Sequence, residues 1–210
     1  MAKLKGPLMS LAASGQLAKT LVFFGWKGLN VAREYVVPSN PKTAGQTTQR
    51  GYMTEAVALV HAAQAEDTNP LDSDDQVAYS ALAQAKGKIM TWFNQVCKLY
   101  VDVMVAGNSP VVYRNGNFLG TAAAAFGFEA YLSEETGSDL AAGKFYVGTS
   151  RTNLIHPITA TLTAGSHVYC EGYDASAFMT AGVKYFIQFR PDAADPSEGA
   201  DSGIYNFVAT

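Results

Sequence analysis

Charge is what this 210-residue sequence has least of: Asp, Glu, Lys and Arg together make up 16% of it, against a usual quarter. Hydrophobic residues make up 48%, with 11 tyrosines and 11 phenylalanines among them. Such a thin charged shell leaves surface that is covered by Ala, Gly, Ser and Thr or is buried against other subunits. Cysteine is nearly absent. Cys97 falls on an apolar helix face and Cys170 in an expected strand of a different domain, so both read as small buried hydrophobes and not as a disulfide. A secreted disulfide scaffold is thereby excluded. The three histidines, His61, His156 and His167, show no His-x-x-x-His spacing, and no Cys-x-x-Cys accompanies them. No metal site and no cofactor is expected. No apolar run approaches the ~20 residues of a membrane span. The opening MAKLKGPLMSLAASGQLAK is interrupted by Pro7, Gln16 and Lys19, so neither a signal peptide nor membrane insertion is expected.

A net charge of −3 excludes a globally basic nucleic-acid binder, but the charge is unevenly spread. Residues 1–55 carry seven basic and two acidic side chains, residues 56–105 three and six, and residues 106–210 five and ten. A basic first third and an acidic remainder suit head-to-tail contact between copies, or contact with an acidic neighbour.

The chain is organised around residues 21–46, LVFFGWKGLNVAREYVVPSNPKTAGQ. Residues 20–24 and 29–37 have strand chemistry on either side of a Lys27-Gly28 turn. Arg33 and Tyr35 share one face of the second strand, and Pro38 ends it by removing a backbone donor. Asn40-Pro41 turns the chain, and Thr43 with Gln46 three residues later fits a capping box for a helix running to about residue 65. Ser73-Asp-Asp-Gln76 offers a second capping box, for a helix reaching residue 105 unless Gly87 interrupts it. Its apolar stripe includes Leu82, Ile89, Trp92, Val96, Tyr100 and Val103.

Beyond Gly107-Asn-Ser-Pro110 the apolar period becomes two. Asn115-Gly116 between short apolar runs signals a hairpin turn. Further strands are expected at residues 125–132, 144–149, 158–163, 167–172, 183–189 and 204–208, a spacing that suggests an antiparallel sandwich. The expected fold is α+β: an N-terminal arm (residues 1–19), a β-hairpin with an antiparallel helical pair (20–106), and an antiparallel β-sandwich (107–210).

Catalytic readings fail one by one. His167 and Cys170 point to opposite faces of a strand and cannot act as a nucleophile–base pair. Gly25-Trp-Lys-Gly28 lacks the spacing and the following helix N-terminus of a phosphate loop. Asp72, Asp74 and Asp75 lack the fixed Gly and terminal Glu of a calcium loop, and read as helix-capping acids. Glu134-Glu135 reads as a solvated turn and not as a catalytic carboxylate pair. Trp26, Lys27, Arg33 and Tyr35 would suit a nucleic-acid surface of aromatics and cations. Packing of the two aromatics against the helices is the preferred alternative, and nucleic acid is set aside as a partner.

Two resemblances carry the functional expectation. Trp26-Lys27-Gly28, Val31-x-Arg33, Pro38-x-Asn40-Pro41-x-Thr43-x-x-Gln46 and Arg50 resemble a pattern in tailed-phage and prophage structural proteins, in which a strand pair precedes an Asn-Pro-x-Thr-x-x-Gln corner and a helical hairpin. Leu71, Asp75, Tyr79 and Ala83 extend it, although Val60, His61 and Tyr79 stand where that family often has tryptophan. Thr180-Ala-Gly-Val-Lys-Tyr185-Phe-Ile-Gln-Phe189 is similar to the start of a strand in fibronectin type III-like domains, whose Tyr would bond backbone upstream as a tyrosine corner.

These resemblances imply a non-enzymatic virion component, a capsid decoration, neck or tail protein, assembling with copies of itself or other virion proteins. Trp26, Lys27, Arg33 and Tyr35 would be its assembly contacts, and Asn40, Pro41, Thr43 and Gln46 its structural corner. The alternative is a host-surface glycan-binding module on the sandwich, with Tyr131, Tyr146, Tyr169 and Tyr173 as stacking faces.

Overall fold

The computed structural model describes residues 2–4, 15–122, 125–134, 140–163 and 169–210. The chain divides between Thr43 and Ala44 into two compact units. The expected boundary near Gly107 is therefore not where the chain divides, because the helices share a core with the second sheet. The expected arm joins the hairpin: strands β1 (Ala2–Leu4) and β2 (Gly15–Leu17) flank β3 (Leu21–Trp26) and β4 (Leu29–Glu34) in the order β1-β4-β3-β2, all antiparallel. The β3–β4 turn takes positive φ at both Lys27 (48°) and Gly28 (80°), the requirement of a two-residue hairpin matched to strand twist. The Tyr35 N–H donates to the Thr20 carbonyl (2.8 Å) just beyond the paired strands. Residues 35–43 then run without regular secondary structure, exposed except at half-buried Tyr35.

Three helices follow where two were expected. Helix α1 (Ala44–Ala65) starts directly after Thr43, as the capping-box spacing predicts. Its first turns are exposed, and only Ala56, Val60 and Ala63 are buried. Helix α2 (Ser73–Ala85) is capped by Asp72, one residue before the expected Ser73. Gly87, at φ 67°, ends it, and the Lys88 N–H donates to the Ala83 carbonyl. A new cap at Thr91 starts α3 (Trp92–Ala106). The break strands Ile89, expected in the apolar stripe, in solvent.

The second sheet holds seven antiparallel strands: β5 (Val111–Ala122), β6 (Ala125–Glu134), β7 (Gly143–Gly148), β8 (His156–Thr163), β9 (Tyr169–Asp174), β10 (Lys184–Pro191) and β11 (Tyr205–Val208). Their order is β11-β10-β7-β8-β9-β6-β5. The first half of β8 pairs with β7 and the second half with β9, so the sheet folds over along this strand. Phe126 of β6 thereby stacks on Phe207 of β11 (5.0 Å), and Phe128 meets Phe145 of β7 (5.4 Å). The Thr210 N–H donates to the Thr121 carbonyl (3.0 Å), drawing the two sheet edges together.

Asn115-Gly116 is not the expected hairpin turn. Strand β5 runs straight through it as a bulge, with the register slipping between Arg114 and Asn117, and the strand's return comes after Ala122. A bulge releases backbone N–H groups from the ladder, and here α2 takes them up. A second cluster buries Val60, Leu71, Tyr79, Leu82, Val96 and Tyr100 of the helical segments against Val112 and Ile204. Close approach at this contact needs Gly203, where a Cβ would lie 2.7 Å from that of Ala78. The Ile204 N–H donates to the Ala78 carbonyl (2.9 Å).

Candidate functional site

Of the expected assembly contacts of the hairpin, Tyr35 is half-buried and the other three are open to solvent. Trp26 is 54% exposed, and Lys27 and Arg33 are exposed. Strand alternation and register put Val22, Phe24, Trp26, Leu29, Val31 and Arg33 on one face. The Arg33 guanidinium lies 5.3 Å from the Phe24 ring centroid, a cation–π contact worth roughly 0.5–1 kcal/mol when exposed. The opposite face carries Leu21, Phe23 and Ala32. Apolar residues stand on both faces, with Asn30 and Glu34 among them on the second, and of residues 15–43 Val31 alone is buried. Of the corner residues, Asn40 and Pro41 lie in the exposed connection, Thr43 precedes α1, and Gln46 sits in its first turn.

The most constrained polar cluster surrounds Asp75, which is fully buried. One carboxylate oxygen accepts the Asn115 N–H (2.6 Å) and the Asp72 N–H (3.1 Å). The other accepts the Gly116 N–H (3.1 Å) and the Tyr205 hydroxyl (2.7 Å). One side chain thus ties the start of α2, the β5 bulge and β11 together. Burial pushes the Asp75 carboxyl above its ordinary value, against the pull of the Tyr205 hydroxyl and the three backbone donors. Gly116 has to be glycine, since a Cβ would stand 2.4 Å from the Tyr205 ring. Four residues along α2, the Tyr79 hydroxyl accepts the Tyr113 N–H and donates to the Tyr113 carbonyl, both at 3.0 Å, satisfying the edge of β5. Buried Arg114 donates to Ser133 Oγ (2.7 Å) and to the carbonyls of Thr68 (2.8 Å) and Asn69. The Asp75 carboxylate and the Tyr79 hydroxyl are both partnered within their own chain, which makes the cluster a structural joint.

A third cluster lies where β8 begins. His156 Nε2 is 2.7 Å from Asp174 Oδ2, and its ring stacks on Phe178 at 3.7 Å. Burial raises the Asp174 carboxyl's affinity for its proton, but hydrogen bonds from Ser176 and His156 outweigh it and leave the pKa lowered. The ring borders a cavity of about 320 Å³ with Val147, Ile155, Phe178 and Tyr185.

Of the residues weighed for glycan stacking, Tyr131 and Tyr173 fall on the outer face of the β6–β9 pair, with Glu129 and Glu171 between them. Tyr146 belongs to β7, with Arg190 5.0 Å above its ring. His167 and Glu135 lie outside the described residues. Cys97 and Cys170 are both free and buried, and burial pushes both thiols above their ordinary values. Among the described residues no three His, Cys, Asp or Glu side chains come together as metal ligands, and no helix is long and apolar enough to cross a membrane.

The reading of Asp72, Asp74 and Asp75 as capping acids missed the joint at Asp75. The signal was present: Asp72 and Asp75 have capping-box spacing, and Asn115-Gly116 offers backbone donors wherever it is not a turn. Compared with protein-family models, curated proteins and solved structures, the chain matches none.

Proposed function

We propose that this protein is a non-enzymatic structural component of a tailed-virus particle, assembling with copies of itself or with other particle proteins. One observation carries the reading. The N-terminal unit is a basic sheet with apolar residues on both faces, in which Val31 alone of residues 15–43 is buried, and it precedes an exposed connection. A sheet that buries so little among its described residues gains stability by lying against another surface. The Trp-Lys-Gly and Asn-Pro-x-Thr-x-x-Gln pattern resembles tailed-phage structural proteins in the same stretch. The test is sedimentation velocity of the full chain over a range of concentrations, alone and with particle proteins. Assemblies are expected; a strict monomer that never enters particles refutes the reading.

The larger unit reads as an immunoglobulin-like sandwich of the fibronectin type III kind. Lettering the strands A to G from β5 to β11 supports this, because A, B, E and D adjoin in one part of the sheet and C, F and G in the other. The Tyr185 hydroxyl accepts the Thr180 N–H (3.0 Å), the hydrogen bond of a tyrosine corner. A second reading, glycan binding, is favoured by Tyr131 and exposed Tyr173 flanking Glu129 and Glu171 on one outer face. A glycan array without a hit removes it.

A further inference from the structure

We propose that the tip of the β3–β4 hairpin docks in the groove between α2, β5 and β11 of a second copy, giving a head-to-tail interface; this rests on the self-assembly reading above. The tip offers an indole and a cation side by side. Trp26 faces its cross-strand neighbour Leu29, itself 45% exposed, and Lys27 sits at the apex of the turn. Lys27 forms no hydrogen bond or ion pair among the described residues.

Two grooves flank α2, and charge decides between them. The larger, about 470 Å³, is lined by Trp92, Phe186 and Arg151, and its guanidinium repels Lys27. The other, about 350 Å³, has Asp74, Val77 and Phe118 in its wall, with Asn117 and Asn206 at the strand edges. Val77, which lines both grooves, is 59% exposed, an apolar seat for an indole, and the Asp74 carboxylate, which lines only this one of the two, has no partner among the described residues. Trp26 on Val77 and Phe118 would set Lys27 against Asp74. Tip-to-tip pairing of two hairpins, by contrast, brings Lys27 and Arg33 of each copy against the same cations of the other. A contact between two different surfaces propagates into a ring or a filament, which suits a particle protein.

The test is a charge swap in the full chain, read by sedimentation velocity at low salt, with circular dichroism to confirm folding. Lys27→Glu and Asp74→Lys are each expected to weaken association at least tenfold, and Asp74→Asn serves as the gentler variant at the helix start. An equimolar mixture of K27E and D74K pairs opposite charges at both contacts, the D74K tip in the K27E groove and the K27E tip in the D74K groove, so the mixture is expected to assemble where each variant alone does not. The double variant K27E/D74K recovers assembly. Should D74K and D74N assemble as the wild type does, or K27E associate unimpaired, the inference falls while self-assembly stands. Should the wild type stay monomeric while the two charges couple only in unfolding stability, the tip docks within its own chain and the inference also falls. A chain that never assembles refutes the reading beneath it.

Discussion

Two sheets of the same chain treat their apolar residues in opposite ways. The larger folds over at β8, so that Phe126, Phe128, Phe145 and Phe207 of facing strands bury one another, and its outer contact with α2 is fixed by Asp75 and Tyr79. The smaller forms a single layer among its described residues. Leu21 on one face and Trp26 and Leu29 on the other stay exposed, and its flanking strands cover only three residues each. Burial stabilises by roughly 25 cal/mol per Å² of apolar surface, so the difference lies in closure and not in composition. A peptide of residues 1–43 is therefore expected to be unfolded, while a fragment of residues 44–210 keeps the strand and helix signals and melts cooperatively. Circular dichroism of the two pieces checks this. A folded 1–43 peptide would break the comparison.

Within the larger unit the joint at Asp75 outweighs any one surface contact. Asp75→Ala leaves three backbone N–H groups and the Tyr205 hydroxyl without their acceptor in a buried site. A loss of about 3–5 kcal/mol in urea denaturation is expected, the range of broken buried networks. A loss below about 1 kcal/mol would mean that water replaces the carboxylate and that this surface is less closed than the core beneath it.

Strands β6 to β11 were legible because their apolar alternation and turn spacing depend on local chemistry alone. The Lys27-Gly28 turn and the start of α1 were legible for the same reason. Three features were not. Asn115 takes a positive φ (46°) in the bulge, as it would in a turn, and the carboxylate arriving from α2 accepts the N–H groups that the bulge frees. Gly87 offers a helix stop within a continuous apolar stripe, two local signals that conflict, and the exposure of Ile89 shows that the stop prevails. The boundary at Thr43 follows from which surfaces pack together, and Pro38 and Asn40-Pro41 before it read equally well as a corner within one domain. For the candidate site, the sequence named Trp26, Lys27 and Arg33 but held no sign of the groove, whose walls come from α2, β5 and β11.

The two shifted carboxylates give opposite pH signatures. The Asp75 carboxyl is raised above 3.8, so the folded chain holds its proton more tightly than the unfolded chain. Its contribution is complete below pH 3.8 and is lost as pH rises through the folded value. The Asp174 carboxyl is lowered from 3.8, so its contribution is present above that pH and is lost as pH falls through its folded value. Denaturation midpoints measured from pH 3 to 7 should lose the decline above pH 3.8 in Asp75→Asn and the fall below it in Asp174→Asn. Parallel curves for all three proteins would show that neither carboxyl differs between the folded and unfolded chains.

The smallest expected effect is the one that separates the sheets most sharply. Trp26→Ala removes the largest side chain of the small unit, and in a closed core that truncation costs about 3–5 kcal/mol. Here the indole is 54% exposed and its cross-strand neighbour Leu29 is 45% exposed, so the isolated chain loses little burial. Its unfolding midpoint, measured at a concentration where the chain is monomeric, should shift by no more than about 0.5 kcal/mol, the usual range for surface positions. Association at higher concentration should weaken instead. A large loss in the monomer would place the indole inside a core of its own chain, and the two sheets would then differ in size alone.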